Sequence, residues 1–344
     1  MTPLFLIQSH KDPDQLARLV RVLRKGCVDS IILIIHDLLV TPLSPSNFGG
    51  DQNVHIIEGK GGRGDFTIID GYLAALRWLK ERKLEYDWIT NLSGQDYPVS
   101  SLAEFSRELS RTAHDGYLHH FDVLKQDSQQ VLPMVWPPKH GYDRYYYQFT
   151  TIKESLGTTE RAALSVPRVA LERFTDKFRI NTAYGLVVGR RADRVPFTPQ
   201  FRCYAGSYWH TIRRRCAEYL LEFSETRPDV VGYFRKVLIP DESFVQTVLV
   251  NHLTFRFVND NRRYFELDMP GCRHGHPNLL TEDDVQKFAN KRYFFARKFE
   301  WRNGTRLFDR LDGYALSGGP ASETTASRTL AHARDEDALQ GRSL

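Results

Sequence analysis

Two adjacent acids, Asp241 and Glu242, stand where the chain offers a proton-accepting carboxylate. They lie in Val237-Leu-Ile-Pro-Asp-Glu-Ser-Phe-Val-Gln-Thr-Val-Leu249, where Pro240 suits a first helical turn and Phe244, Val245, Val248 and Leu249 give the following residues a buried face. Acids in a first turn meet the positive end of the helix dipole. A carboxylate held there is a candidate general base, and a plain acidic helix start is the competing reading of the same residues. Three other segments carry side chains that could join it. Tyr86-Asp-Trp-Ile-Thr-Asn-Leu-Ser-Gly-Gln-Asp-Tyr-Pro-Val99 reads as an apolar strand running into a small polar loop with Ser93, Gly94 and Asp96. In open α/β sheets, ligands sit at the carboxyl ends of such strands. Ala205-Gly-Ser-Tyr-Trp-His210 is a Gly-containing turn, expected to lead into a basic helix from Thr211 to Leu221. Tyr293-Phe-Phe-Ala-Arg-Lys-Phe-Glu300 sets Arg297 and Lys298 among aromatics, with a basic, solvated helix end as the alternative.

The elements that must position these residues alternate between strand and helix signals. Leu4-Phe-Leu-Ile7 and Ile31-Ile-Leu-Ile-Ile35 are apolar runs, and between them Leu16, Leu19, Val20 and Leu23 recur at helical spacing after Asp12-Pro13. Val54-His-Ile-Ile57 is another short strand, followed by Gly59-Lys-Gly-Gly-Arg-Gly64 and a helix from about Asp65 to Arg82. This Gly-rich turn lacks the Gly-Lys-Ser/Thr of a phosphate loop and the strand-turn-helix unit with a later acid of a dinucleotide site. Residues 131–149 are rich in Pro, Trp and Tyr, which suits either an aromatic surface that stacks on sugar rings or ordinary packing between loops. Later strands are expected around residues 116–121, 183–189 and 255–258. From about Leu316 the chain loses all periodicity, so the expected organisation is one domain over 1–315 and a disordered tail over 316–344.

At 344 residues, 41% hydrophobic and 12% aromatic, the chain can bury a large core. Its net charge of +5 comes from 47 basic against 42 acidic residues, which fits an anionic small molecule as well as nucleic acid. No zinc-finger spacing or helix-turn-helix signature supports the latter. Cys27, Cys203, Cys216 and Cys272 are widely spaced, with no CxxC pair, so neither a structural zinc nor a disulfide framework is expected, and a reducing compartment is the simpler reading. No run approaches the roughly 18 apolar residues of a membrane span.

Taken in order, the four segments resemble one family, the glycosyltransferases that include core-2/I-branching β-1,6-N-acetylglucosaminyltransferases and peptide O-xylosyltransferases. Asn91-Leu-Ser-Gly-Gln-Asp-Tyr-Pro98 is similar to its strand-end motif, Gly206-Ser-Tyr-Trp209 to its Gly-Ser-x-Trp turn, Pro240-Asp-Glu-Ser-Phe244 to its catalytic-base segment, and Phe295-Ala-Arg-Lys-Phe299 to its C-terminal basic motif. With Ser9-His-Lys-Asp12 near the start, the resemblance runs from about Phe5 to about Arg302.

The resemblance implies a GT-A-like α/β fold, with a mixed, mostly parallel central sheet flanked by helices. It implies inverting transfer of N-acetylglucosamine, or xylose, from a UDP-sugar donor to a hydroxyl of a glycan or glycoconjugate. Such a transfer needs a base for the acceptor hydroxyl, positive charge for the leaving diphosphate and a floor that aligns both sugars. Glu242 is the implied base, with Asp241 raising its proton affinity by like-charge repulsion and reaching toward the acceptor. Many transferases of this fold hold a divalent metal on Asp-x-Asp at a strand end, where this chain has Ser93-Gly-Gln-Asp96. Asp12-Pro-Asp14 and Asp335-Glu-Asp337 have the pattern in unsuitable places. The core-2 branch is metal-independent, so no metal or other cofactor is expected, and Lys298 with Arg297 is assigned to the diphosphate. A second basic residue belongs near His276-Pro-Asn278, where Asn278 replaces it and Arg273 or His274 is the nearby substitute. On the donor side the resemblance places Gln8 and His10 near the uracil, Asp37 near the base or ribose, and Asp96 at the strand end. Trp209, Arg144 and Asp241 are the acceptor candidates.

Eukaryotic members are Golgi type II membrane proteins, so a chain starting at its first strand is expected to be a bacterial, cytoplasmic member, or one peripheral at the inner membrane. Two other classes compete. A glycosidase needs its carboxyls about 5 to 9.5 Å apart across the bond, a poor match for adjacent residues at a helix start. An inactive, carbohydrate-binding relative is favoured by Asn278 and opposed by an intact Glu242 and Lys298.

Overall fold

The computed structural model describes residues 1–62, 64–125, 136, 139–267, 277–288, 293–301 and 304–317. Its centre is a seven-stranded sheet of β1 (Pro3–Ser9), β2 (Ile31–His36), β3 (Val54–Glu58), β4 (Trp88–Ser93), β5 (Gly116–Leu118), β6 (His210–Arg213) and β7 (Phe257–Val258). The spatial order is β3-β2-β1-β4-β6-β5-β7. β1 pairs in parallel with β2 and β4, β2 with β3, and β7 with β5, while β6 runs antiparallel to both its neighbours. The expected mixed, mostly parallel sheet flanked by helices is therefore present.

Period-two alternation explains why the sheet is apolar on both faces. Leu4 and Leu6 of β1 enter a core built with helices Thr67–Glu81, Arg214–Thr226 and Phe244–Val250. Phe5 and Ile7 enter the opposite core, packed by helices Pro13–Gly26, Leu102–Arg111 and Thr305–Ser317. Because β1 to β4 are parallel, their carboxyl ends share one edge. The antiparallel β6 enters the sheet at that edge, with Thr211 opposite Thr90. Three smaller sheets lie beside it, one of them the two-stranded pairing of Tyr204–Ala205 with Phe121–Asp122. Phe295–Arg297 pairs with Asp96–Pro98 and with Arg263–Tyr264, tying the late chain to the turn after β4. Tyr147–Lys153, Leu186–Arg191 and Phe178–Asn181 form a separate antiparallel sheet next to helix Thr158–Phe174.

Several local expectations are corrected. Thr211 to Arg213 belong to β6, and the basic helix starts at Arg214. β-Branched Thr211 and Ile212 pair with Thr90 and Ile89 in the sheet interior, which outweighs the helical pattern. Asp241 and Glu242 occupy a separate 3-10 turn, Pro240–Glu242, and the helix starts only at Phe244. Ser243 makes the break, its hydroxyl donating to the Tyr204 carbonyl at 2.7 Å. Within residues 131–149, Trp136, Tyr145 and Tyr147 are buried, which fits the packing alternative for those three aromatics. The tail lies almost wholly outside the described residues, and Leu316 and Ser317 end the last helix.

Candidate active site

The Asp241–Glu242 turn is aimed by an unusual backbone. Ile239, a β-branched residue, has φ 51°, in the left-handed region such residues avoid. Its amide is held by the Gly64 carbonyl at 2.9 Å, so the Gly-rich loop after β3 braces the turn. On the other side, the Gly206 amide donates to the Glu242 carbonyl at 2.8 Å. A Cβ on Gly206 would lie 2.0 Å from the His119 carbonyl oxygen, so only glycine fits this close crossing.

Glu242 is an ion-pair residue. Its Oε2 accepts a hydrogen bond from Arg144 Nη1 at 2.6 Å, and the Arg144 guanidinium stacks 4.3 Å from the centre of the Trp136 ring. The pair fixes one carboxylate oxygen and leaves Oε1 without a hydrogen-bond partner among the described residues, on a side chain 24% exposed. Asp241 is half-buried, and its Oδ1 is fully shielded with no hydrogen-bond partner among the described residues. Burial, and then the charge of Glu242, push its carboxyl up to about 7. Two adjacent acids in different surroundings thus divide into a proton-retaining Asp241 and an Arg-paired Glu242.

The Gly206–Trp209 turn is locked onto β4 by Asn91. The Asn91 side chain donates to the Tyr208 carbonyl at 3.0 Å and accepts from the His210 amide at 2.6 Å. Gln246 donates to the Ser207 carbonyl at 2.6 Å from the helix after the acids. These bonds hold Trp209, whose ring lies 4.2 Å under the Arg297 guanidinium carbon. Arg297 ends a strand and is not a solvated helix end. Its Nε lies 3.7 Å from Oδ1 of Asp96, whose side chain is fully buried. The other oxygen of Asp96 accepts from the Ser93 amide and from the Ser93 hydroxyl at 2.6 Å. A second buried cation, Arg263, also interacts with Asp96. The Asp96 carboxylate therefore serves two guanidiniums, with Asp260 a second acid acting on Arg263. Burial lowers the pKa of Arg297 accordingly. Asp96 is an internal counter-ion here, not a group presented to solvent.

Lys298 follows, its Nζ 3.6 Å from Glu300 Oε1. At the end of β1, Gln8 donates to the Ile68 carbonyl at 3.1 Å and His10 follows the strand, its pKa lowered by partial desolvation and by neighbouring Lys11. Asp37, just past β2, accepts from the Gly61 amide at 2.7 Å, which holds its carboxyl below the usual range. The structure thus gathers Gln8, His10, Asp37, Asp96, Trp209, Arg297 and Lys298 at one edge of the sheet. The Gly206–Glu242 bond joins the acids to it. Arg144, expected at the acceptor, is the partner of Glu242. Arg273 and His274 lie outside the described residues, as does Asp335-Glu-Asp337.

Residues 148–289 match the family model described as Core-2/I-branching enzyme. The matched span includes Trp209, Asp241 and Glu242, while the β4 turn and the Arg297–Lys298 strand lie outside it. Beta-glucuronosyltransferase GlcAT14A of Arabidopsis thaliana is 26% identical over 279 residues, 79% of this chain and 53% of that protein. Xylosyltransferase 1 of Homo sapiens is 24% identical over 277 residues, 75% of this chain and 24% of that protein. The chain thus spans about half the length, or less, of the curated relatives it matches. A solved structure of mouse xyloside xylosyltransferase 1 superposes with a TM-score of 0.37 and 11% identity, covering 88% of this chain and 99% of that one.

Residues that sequence reasoning missed are Asn91, Lys11, Arg263 and Glu300. Three of them sit inside segments singled out for other members, and Arg263 carried no local signal at all.

Proposed function

We propose that this chain is an inverting glycosyltransferase that moves a sugar from a UDP-sugar to a hydroxyl of a glycan or glycoconjugate, with Glu242 as general base. The observation that carries the proposal is the Arg144-held Glu242 carboxylate, with one oxygen free of partners among the described residues, joined through Gly206 to the Trp209–Arg297 edge of the sheet. Oε1 takes the proton of the acceptor hydroxyl as the oxygen attacks the anomeric carbon. Arg144 keeps the other oxygen in place. Asp241 beside it, its carboxyl pushed up to about 7 by burial and then by the charge of Glu242, holds its proton more tightly than an ordinary aspartate. Arg297 and Lys298 stabilise the departing diphosphate. Asp96, buried against two arginines, is committed to them, which supports a leaving-group site built on basic side chains rather than on a metal. The relatives' names point to glucuronate and xylose beside N-acetylglucosamine as the transferred sugar.

Glu242→Gln tests the assignment. Turnover should fall by about 10² to 10⁴, the usual contribution of a general base, while UDP-sugar affinity stays near the wild-type value. Unchanged turnover would remove Glu242 from the mechanism.

A further inference from the structure

We infer that Lys11 is a second cationic contact for the donor's diphosphate, and that the Glu300 carboxylate occupies the contact until the donor arrives. This rests on the nucleotide-sugar reading above and deepens it. Three donors from three parts of the chain converge on one oxygen. Lys11 Nζ, from the turn after β1, lies 2.9 Å from Glu300 Oε1, and Gln95 Nε2, from the turn after β4, donates to it at 3.0 Å. Lys298 Nζ is 3.6 Å from the same atom. The Lys11 bond holds the Glu300 carboxyl below its usual range. Glu300 is only partly buried and has solvent to turn into.

Two ammoniums and an amide meeting at one anionic oxygen are what a phosphate oxygen requires. Asn278, where the resemblance leads one to expect a basic side chain, supplies no charge, and Lys11 brings one from the turn after β1. The other charges facing the cluster are Asp12, 3.6 Å from Lys11, His10, and the Arg297–Asp96 pair. With the site empty, Glu300 screens the two lysines from each other. A diphosphate carries more charge than one carboxylate, so it takes over the donors and Glu300 turns outward.

Calorimetric titration with UDP, uridine and inorganic pyrophosphate tests this. Lys11→Ala should weaken UDP by about tenfold or more and leave uridine within about twofold. Lys11→Arg should keep most of the preference for UDP. Glu300→Gln keeps the side chain's size and removes the competing charge, so UDP should bind several-fold tighter than to the wild type. A UDP-to-uridine ratio that Lys11→Ala does not change, or a Glu300→Gln variant that loses UDP as Lys11→Ala does, overturns the inference and leaves the transferase reading standing. Pyrophosphate binding that requires Lys11, in a protein that takes neither UDP nor uridine, upholds the clamp and removes the nucleotide-sugar reading. No binding of any of the three by the wild type overturns both.

Discussion

Asp241 and Glu242 share a turn and differ in everything that sets a proton's place. Arg144 stands against Glu242, whereas Asp241 has a shielded oxygen with no hydrogen-bond partner among the described residues and a charged neighbour. A carboxyl whose folded-state pKa is raised binds its proton more tightly in the native chain than in the unfolded one. Its stabilising contribution is full below the ordinary aspartate value near 4 and is lost as the pH climbs to about 7. Asp241→Asn, which mimics the neutral form, should therefore gain melting temperature relative to the wild type between pH 5 and pH 8. A difference that stays constant with pH would show that Asp241 is ionised throughout. The sequence marked both acids, but it could not tell their environments apart. Arg144 lies 98 residues from Glu242, and only the fold brings them together.

At the scale of elements, the site depends on how tightly the Gly206–Trp209 turn is pressed between β4, the His119 strand exit and the Asp241–Glu242 turn. Gly206→Ala places a methyl 2.0 Å from a backbone oxygen that has no freedom to retreat. It should cost about 1 to 3 kcal/mol in denaturant unfolding, and it should lower turnover by shifting Trp209 and Glu242 together. A variant as stable and active as the wild type would mean that the crossing is looser than described. Strand and helix periodicity made β1 to β4 and their helices legible, because each carries a pronounced apolar pattern. The same reasoning placed Thr211 in a helix and the acids in the turn of one continuous helix. Both errors have one cause: sheet pairing to Thr90 and the Ser243–Tyr204 bond are tertiary contacts, and they overrode local preference.

At the scale of the molecule, the parallel strands deliver their ends to one edge, and the Phe295–Arg297 strand folds back there to add basic groups to a surface begun by β1 and β4. Asp96 sits at the junction, shared by Arg263 and Arg297, so the late chain and the β4 turn are joined by charge as well as by strand pairing. The order of the motifs was enough to foresee the sheet. It did not foresee that Asp96 would be buried or that Glu300 would bridge two lysines, since either fact needs the third dimension. The central claim is that this edge binds a UDP-sugar through basic side chains. Its most direct test is titration of the protein with UDP-glucuronate, UDP-xylose and UDP-N-acetylglucosamine in excess EDTA, reading heat and slow sugar release. Selective binding and release of one of them in EDTA is the predicted result. Binding that appears only when Mn²⁺ is added, or binding of none of the three with or without metal, would contradict the account.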